Sequence, residues 1–463
     1  MSNNIVDDDS RPMRTGTWVT GSAHIITAVI GSGVLSLAWA IGQLGWIAGP
    51  AVLVAFSLVT LFTSSLLADA YRHPDPVTGP ARNYTYMDAV RAQLGGRKVH
   101  LCGLAQCINL VGVNVGYTVT AAISMAAVES SWSCFHDGFR EEDKCDVSST
   151  RYMIIYGCVQ LVLCQVPNFQ KLSWISILAA VMSATYSVIG LGLSVAKVAG
   201  GGTKAATTTV GLHVSEGHEL WRVFRAIGDI AFAYSYSTVL IEIQDTLRSS
   251  PPENRTMKRA SFVGITVTTL FYLLCGCVGY AAFGKAAPGN LLSGTGFRQP
   301  LWLVNIANIC VAVHLVGAYQ VFCQPIFSFV ESRCRQRWPE SKFVTMEHPV
   351  TVGGGTTTAT VCHVNWFRLV WRSAYVVVTT ALAMTFPFFN DFLSLVGAAS
   401  FWPLTVYFPV AMYISRAKIP KFSFTWAWLQ CLSWACLVVS LVAAAGSVEG
   451  LIQSMKKYHP FKS

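Results

Sequence analysis

The chain has 463 residues, of which 53% are hydrophobic and only 12% charged, about half the charged share of an ordinary soluble domain. That balance excludes a soluble globular protein and points to a polytopic one embedded in a lipid bilayer. The formal net charge of +10 does not point to nucleic acid, because the basic residues fall in short runs between apolar segments, as orientation signals do, with no interleaved exposed aromatics.

Met1 to Thr17 is polar and carries Asp7, Asp8 and Asp9, unlike a cleavable signal, so the first span is expected to direct insertion itself. Requiring about 20 mainly apolar residues per span predicts about eleven membrane helices, near 19–40, 46–69, 99–128, 152–167, 172–198, 221–247, 259–283, 301–330, 366–386, 391–415 and 424–447. In the first, Ile30, Gly31, Ser32, Gly33 and Val34 place glycine and serine where a span should be most regular. A break at that depth frees backbone N–H and C=O groups that cost several kcal/mol each unless they line a polar cavity or meet a ligand. These five residues are therefore candidate ligand contacts.

The third segment carries Gln106, Asn109, Asn114 and Tyr117, which fall within an arc of roughly 140° on one helix face. Gly112 and Gly116 border that face and suit close helix contact. Beyond it, Cys134 and Cys145 share a polar loop with Asp137, Glu141, Glu142, Asp143 and Asp146, and if the loop is extracytoplasmic a disulfide between them is plausible. The other cysteines lie mostly in apolar runs, where they pack as small side chains.

In the sixth segment, Asp229 to Thr238 interrupts the apolar run with small and hydroxylated residues, marking Phe232, Ala233, Tyr234 and Ser235 as a second break. Back-bonding by the hydroxyls, which only bends a helix, is the alternative. Interrupted segments five spans apart are the pointer to an inverted-repeat transporter with a midplane site. The repeats would be 19–198 and 221–415, preceded by a terminal segment 1–18 and followed by a helix at 424–447 and a tail at 448–463. The half-helix starting near Ser32 and Gly33 would suit a carboxylate. Carbonyls at Ile30 and around Phe232 to Tyr234 would suit an ammonium, and together they describe an α-amino acid.

Four positions stand out as ionisable. His24 in the first segment and His314 in the eighth are costly at depth, and imidazole titrates near neutral pH, so both are proton-coupling candidates; a neutral histidine donating one hydrogen bond is the plainer reading. Asp229 follows Arg225 by one turn, the spacing of a structural ion pair, with outer gating as the alternative. Asp245 lies beyond the second break, where it could help release a proton inward. The long polar insert from about Glu331 to Asn365 has a Gly353 to Gly355 and threonine-rich centre that reads as flexible linker, as does Gly200 to Thr209.

With the amino terminus in the cytoplasm, internal loops hold roughly 20 Lys and Arg against roughly 12 outside, which favours that orientation and an extracellular carboxyl terminus. Two sequons, at Asn83 and Asn254, then fall on internal loops and are expected to be unmodified.

The runs Thr15 to Trp18, Ala23 to Trp46, Arg82 to Asp88 and Tyr319 to Pro325 resemble plant amino acid permeases, of the amino acid/auxin permease group within the amino acid-polyamine-organocation superfamily, over nearly the whole chain. The resemblance implies the all-α fold of the bacterial leucine transporter, a 5+5 inverted repeat with helices 1 and 6 broken. It also implies proton-coupled import of α-amino acids across the plasma membrane. In that fold helix 3 lines the substrate cavity, which favours Asn109, Asn114 and Tyr117 as contacts, while Phe232, Phe401 and Trp402 fall near the gates of helices 6 and 10. Sodium-coupled relatives use helix 8 hydroxyls; Asn305 to Gly317 has none, so the proton is the expected coupling ion, with no metal or cofactor. A carrier of a related carboxylate, such as auxin or γ-aminobutyrate, and a non-transporting amino acid sensor are the alternatives. No HExxH, nucleophile elbow or paired carboxylate suggests an enzyme.

Overall fold

The computed structural model describes residues 7, 13–136, 147–165, 173–201, 217–293, 297, 299–352 and 360–457. Helices α1 (Trp18–Val29), α2 (Leu37–Ala68), α3 (Tyr86–Gln93), α4 (Gly96–His136), α5 (Thr150–Leu163), α6 (Ser173–Ala199), α7 (Gly217–Ala233) and α8 (Ser237–Gln244) fill the first half. The second half holds α9 (Glu253–Phe283), α10 (Leu301–Arg337), α11 (Lys342–Thr345), α12 (Trp366–Thr385), α13 (Phe389–Ser400), α14 (Phe408–Arg416) and α15 (Phe424–Lys457). Among the described residues, eight helical stretches are long and apolar enough to cross a bilayer, and Thr150–Leu163 is a shorter apolar helix. Apolar side chains such as Leu58, Val188, Leu270, Val377 and Leu441 stay exposed, as a lipid-facing surface requires. The Cys134–Cys145 pairing and both glycine triplets fall wholly or partly outside the described residues.

The chain forms two compact units. The first comprises residues 1–109, 183–307 and 388–459. Within it α1 starts on a reciprocal cap, in which Thr20 N–H donates to the Thr17 hydroxyl and Thr17 N–H to that of Thr20, satisfying donors that a helix start leaves open. Small residues then bring helices close: a Cβ on Gly279 would lie 2.5 Å from that of Ala38, joining α9 to α2, and one on Gly264 would lie 2.9 Å from Ile25 of α1. The closest approach is between α7 and α13, where a Cβ on Gly397 would lie 2.3 Å from the Gly228 carbonyl oxygen and one on Gly228 would meet Ser394. Gly45, at φ 82°, kinks α2, a backbone conformation open chiefly to glycine. The first two predicted segments therefore join through a bend and not a loop.

The second unit comprises residues 110–182 and 308–387, with 460–463. Buried polar pairs tie it together: the Tyr156 hydroxyl donates to the Leu315 carbonyl (2.7 Å), Tyr319 meets the Thr379 hydroxyl (2.8 Å), and Gln320 donates to Gln160 (2.5 Å). Arg372 holds Glu331 at 2.8 Å and donates to the Cys164 carbonyl at 2.9 Å. The flanks of the 331–365 insert are folded, while its centre lies outside the described residues: α10 runs on to Arg337, α11 follows, and His348–Val352 (β1) pairs antiparallel with Thr360–Val364 (β2). Asn365 shows why, since its amide donates to the Val344 and Met346 carbonyls while its oxygen caps α12 through Arg368 N–H.

Because the α7–α13 contact leaves no volume for a methyl group, Gly397→Ala should cost about 1–3 kcal/mol. A lowered thermal midpoint of the detergent-purified protein measures it; an unchanged midpoint refutes this packing.

Candidate functional site

Both predicted interruptions are present. α1 ends at Val29, Gly31 leaves the helical region at φ −129°, ψ −145°, and the chain resumes as a tight 3₁₀ turn over Ser32–Ser36 before α2. α7 ends at Ala233 and α8 begins at Ser237. The two gaps touch, since a Cβ on Gly33 would lie 3.1 Å from the Ala233 Cα and 3.5 Å from the Phe232 ring. Gly33 is thus what lets the breaks meet.

The freed groups are partly served by protein. Tyr272 of α9 places its hydroxyl 2.5 Å from the Val29 carbonyl oxygen and 3.4 Å from that of Ala233, the last carbonyls of both interrupted helices. The Phe232 and Tyr234 carbonyls accept from Ser235 and Tyr236 N–H, both at 3.0 Å, within the turn itself. Those two oxygens are therefore less open to an ammonium than the sequence reading held, because a short turn closes its own bonds.

Beside the second break lies a narrow hollow, with no room for a water molecule in this conformation, lined by Asn109, Ser235, Ser237, Thr238, Ser400, Leu404 and Thr405. Its wall carries hydroxyls, one amide and no charge. Among the described residues, the Asn109 oxygen and nitrogen and the Thr238 hydroxyl are buried without a hydrogen-bond partner, as is the nearby break residue Ser32, whereas Ser237 bonds Thr405 at 3.1 Å. Buried polar groups are normally paired, so partnerless ones around a hollow are available to a ligand.

Asn109 and Ser235 were legible in sequence; Ser237, Thr238, Ser400, Leu404 and Thr405 were not selected. Ser400 and its neighbours sit where predicted segment ten departs from a regular helix into a wide π turn, Phe401–Tyr407, between α13 and α14. Pro403 in that run was the available signal, since proline cannot donate to the helix ladder.

Other candidates fall elsewhere. Asn114 donates to Tyr375 (2.7 Å) and Tyr117 packs edge-on against Phe322, both within the second unit. There His314 is buried with Nδ1 2.8 Å from the Ala179 carbonyl; a carbonyl only accepts, so Nδ1 carries the proton. His24 lies on the exposed side of α1. Tyr234 turns its hydroxyl to Thr269 on α9 (3.0 Å). Trp402 donates to Ser433 on α15 (3.2 Å) and does not line the hollow.

Two charged clusters flank the breaks within the first unit. At one, Arg14 donates to the Asp245 carboxylate (2.7 Å) and carbonyl (2.7 Å), and the Tyr71 hydroxyl donates to the same carboxylate (2.6 Å). Burial and the Asp245 charge hold Tyr71 well above the ordinary phenol range, keeping its proton as a donor. Backbone bonds from Gly16 to Thr246 and from Arg248 to Gly16 (3.0 Å each) zip the terminal segment to the end of α8. Nearby, Glu253 accepts from both Arg72 and Arg82. Both sequon asparagines are buried here, donating to the Ala70 carbonyl and to Asp69.

At the other cluster, Arg225 of α7 bonds Asp391 of α13 and stacks 4.7 Å over Trp39. This corrects the expected Arg225–Asp229 pair: the carboxylate on the facing helix takes the guanidinium, and Asp229 is fully buried with neither oxygen hydrogen-bonded among the described residues.

Residues 14–453 match the family described as "Transmembrane amino acid transporter protein". Over the whole chain and 96% of the relative, the sequence is 64% identical to amino acid permease 6 of Arabidopsis thaliana. It is 60% identical to amino acid permease 1 of the same plant, over 99% of this chain and 94% of the relative. In fold it is similar to MhsT, solved in complex with L-phenylalanine (TM-score 0.55, 10% identity, 94% of this chain and all of that one). It is also similar to Mhp1, a nucleobase-cation-symport-1 family transporter (TM-score 0.52, 13% identity, 97% and 95%).

The hollow yields a stability test. Thr238→Val removes a hydroxyl that bonds nothing and should leave the thermal midpoint unchanged or higher, whereas Ser237→Ala strands Thr405 and should cost about 1 kcal/mol. The reverse order of midpoints would refute the assignment of open and occupied hydroxyls.

Proposed function

We propose that this chain, which belongs to the transmembrane amino acid transporter family, is a proton-coupled symporter that imports α-amino acids across the plasma membrane by alternating access. The amino terminus lies in the cytoplasm and the carboxyl terminus outside. Eleven spans, two repeats (19–198 and 221–415) and a rocking motion around the meeting point of the broken helices make up the machine. It performs transport and no covalent chemistry.

One observation carries the reading: two interrupted helices meet at Gly33 and Ala233 beside an uncharged, hydroxyl-lined hollow. A zwitterion has equal and opposite charges, so a wall of dipoles can receive it without a counter-ion, whereas a ligand with net charge would leave that charge unpaired away from water. Ser32, Asn109 and Thr238 supply unengaged groups for it. The names of the permease relatives favour the same class of substrate. In this reading the Arg14–Asp245 zip serves as the cytoplasmic closure and the Arg225–Asp391 pair as the outer one.

In proteoliposomes, uptake of a labelled neutral amino acid should rise with an inward proton gradient and be indifferent to sodium. Gradient-independent uptake removes the coupling, and competition by auxin or γ-aminobutyrate alone, without α-amino acids, replaces the substrate. Asn109→Ala should raise the half-saturating concentration about tenfold or more, the loss of about 1.4 kcal/mol of binding, with the thermal midpoint unmoved; unaltered half-saturation rejects Asn109 as a contact.

A further inference from the structure

The least expected group in the first unit is Asp229. It lies one turn before the end of α7, about 6 Å along the axis from Ala233, fully buried and with both carboxyl oxygens lacking a hydrogen-bond partner among the described residues. A charged carboxylate in such a place costs several kcal/mol or more, and carboxylates at membrane depth are otherwise paired. A protonated one is far cheaper to bury there.

The natural counter-ion is near but engaged. Arg225, one turn earlier on the same helix, gives one guanidinium nitrogen to Asp391 of α13, whose other oxygen accepts from Ser454 of α15 (2.7 Å). The Arg225 Nε is buried without a hydrogen-bond partner among the described residues. Arg225 thus stands between two carboxylates, bonded to one, with a donor to spare at the helical spacing that suits the other.

The charged groups that act on Asp229 are these two, Arg225 and Asp391. Of the helices packed on α7, α2 carries no charged residue and α13 only Asp391; α15 contributes Glu449, which accepts from Gln453 (2.8 Å), and Lys456 and Lys457 toward its end. On α7 itself Glu219 pairs with Lys285, and Arg222 lies nearly two turns before Asp229.

We propose that Asp229 carries the coupled proton, and that Arg225 receives its charge when the proton leaves. This rests on the symport reading above. The carboxylate takes a proton from the outer side to become the neutral acid that its unpaired burial favours; on the inward side the O–H bond breaks, the proton goes to water, and the new carboxylate competes with Asp391 for the one guanidinium. Because α7 and α13 touch through Gly228 and Gly397, a change of partner at Arg225 bears directly on how those helices sit together.

The test uses the full chain in proteoliposomes with Asp229→Asn, which mimics the neutral acid. The variant should fold with a thermal midpoint no lower than the parent, and exchange labelled for unlabelled amino acid, a cycle with no net proton movement. It should lose gradient-driven accumulation: the parent concentrates substrate up to about tenfold per pH unit for each proton moved, the variant about onefold. An infrared carbonyl band of a protonated carboxylic acid should be present in the parent and absent in the variant. Accumulation that persists in the variant overturns the assignment while leaving symport intact. Lost exchange overturns it in favour of a substrate-binding or gating role, and a variant that fails to fold or melts lower overturns it in favour of a structural ion pair. A parent indifferent to the gradient overturns both readings.

Discussion

Inside a bilayer no water is present to satisfy a backbone N–H or C=O, so every departure from helix must be answered by another group. That constraint organises the first unit of this protein. Two helices stop at depth, at Val29 and Ala233, and one phenol, Tyr272, reaches the terminal carbonyls of both. The short turns close part of the remainder through Gly31, Ser235 and Tyr236 N–H. Among the described residues, Asn109 and Thr238 at the hollow stay without a partner, with Ser32 buried close by at the first break. Their position where the two interruptions meet, and not their rarity in the fold, is what marks the place as a candidate site.

The parts of this arrangement written in local sequence were readable in advance. Gly31, Ser32 and Gly33 interrupt an apolar run by composition alone, and the small and hydroxylated residues from Ala231 to Thr238 do the same more softly. Asn109 was found because it falls on a polar face at helical spacing. The parts missed depend on which helix lies opposite which. No local pattern reveals that Trp402 faces Ser433, that Ser400 and Thr405 line the hollow, or that Asp391, 166 residues away, takes Arg225 from Asp229. The hairpin in the 331–365 insert escaped notice for a different reason: its anchor, Asn365, acts through carbonyls contributed by α11 and the residue after it, and a threonine- and glycine-rich tract hides the strands that flank it.

Charge is distributed with economy. The hollow has none, and the two clusters beyond the breaks have much. At the terminal-segment end, Asp7, Arg14, Tyr71 and Asp245 form a connected set, next to Arg72, Arg82 and Glu253. Breaking a buried pair by removing one member is far costlier than its net contribution, because the other charge is left uncompensated. Such clusters therefore hold a shape firmly until every partner can move together, which is the behaviour required of a closure that must be tight in one conformation and absent in another. Arg225 and Asp391 form a smaller set with the same logic.

Gly45 joins the stretch after the first break to the long remainder of α2 through a single bend at φ 82°. No slack polypeptide separates the two pieces, so they act as the arms of a crank. The short arm after Gly31 and the rod that reaches Ala68, beside the ion cluster, therefore keep one fixed angle at that corner. A residue bearing a side chain at the corner would be strained there, and a flexible insertion would leave the direction of one arm undefined by the other while leaving each arm intact.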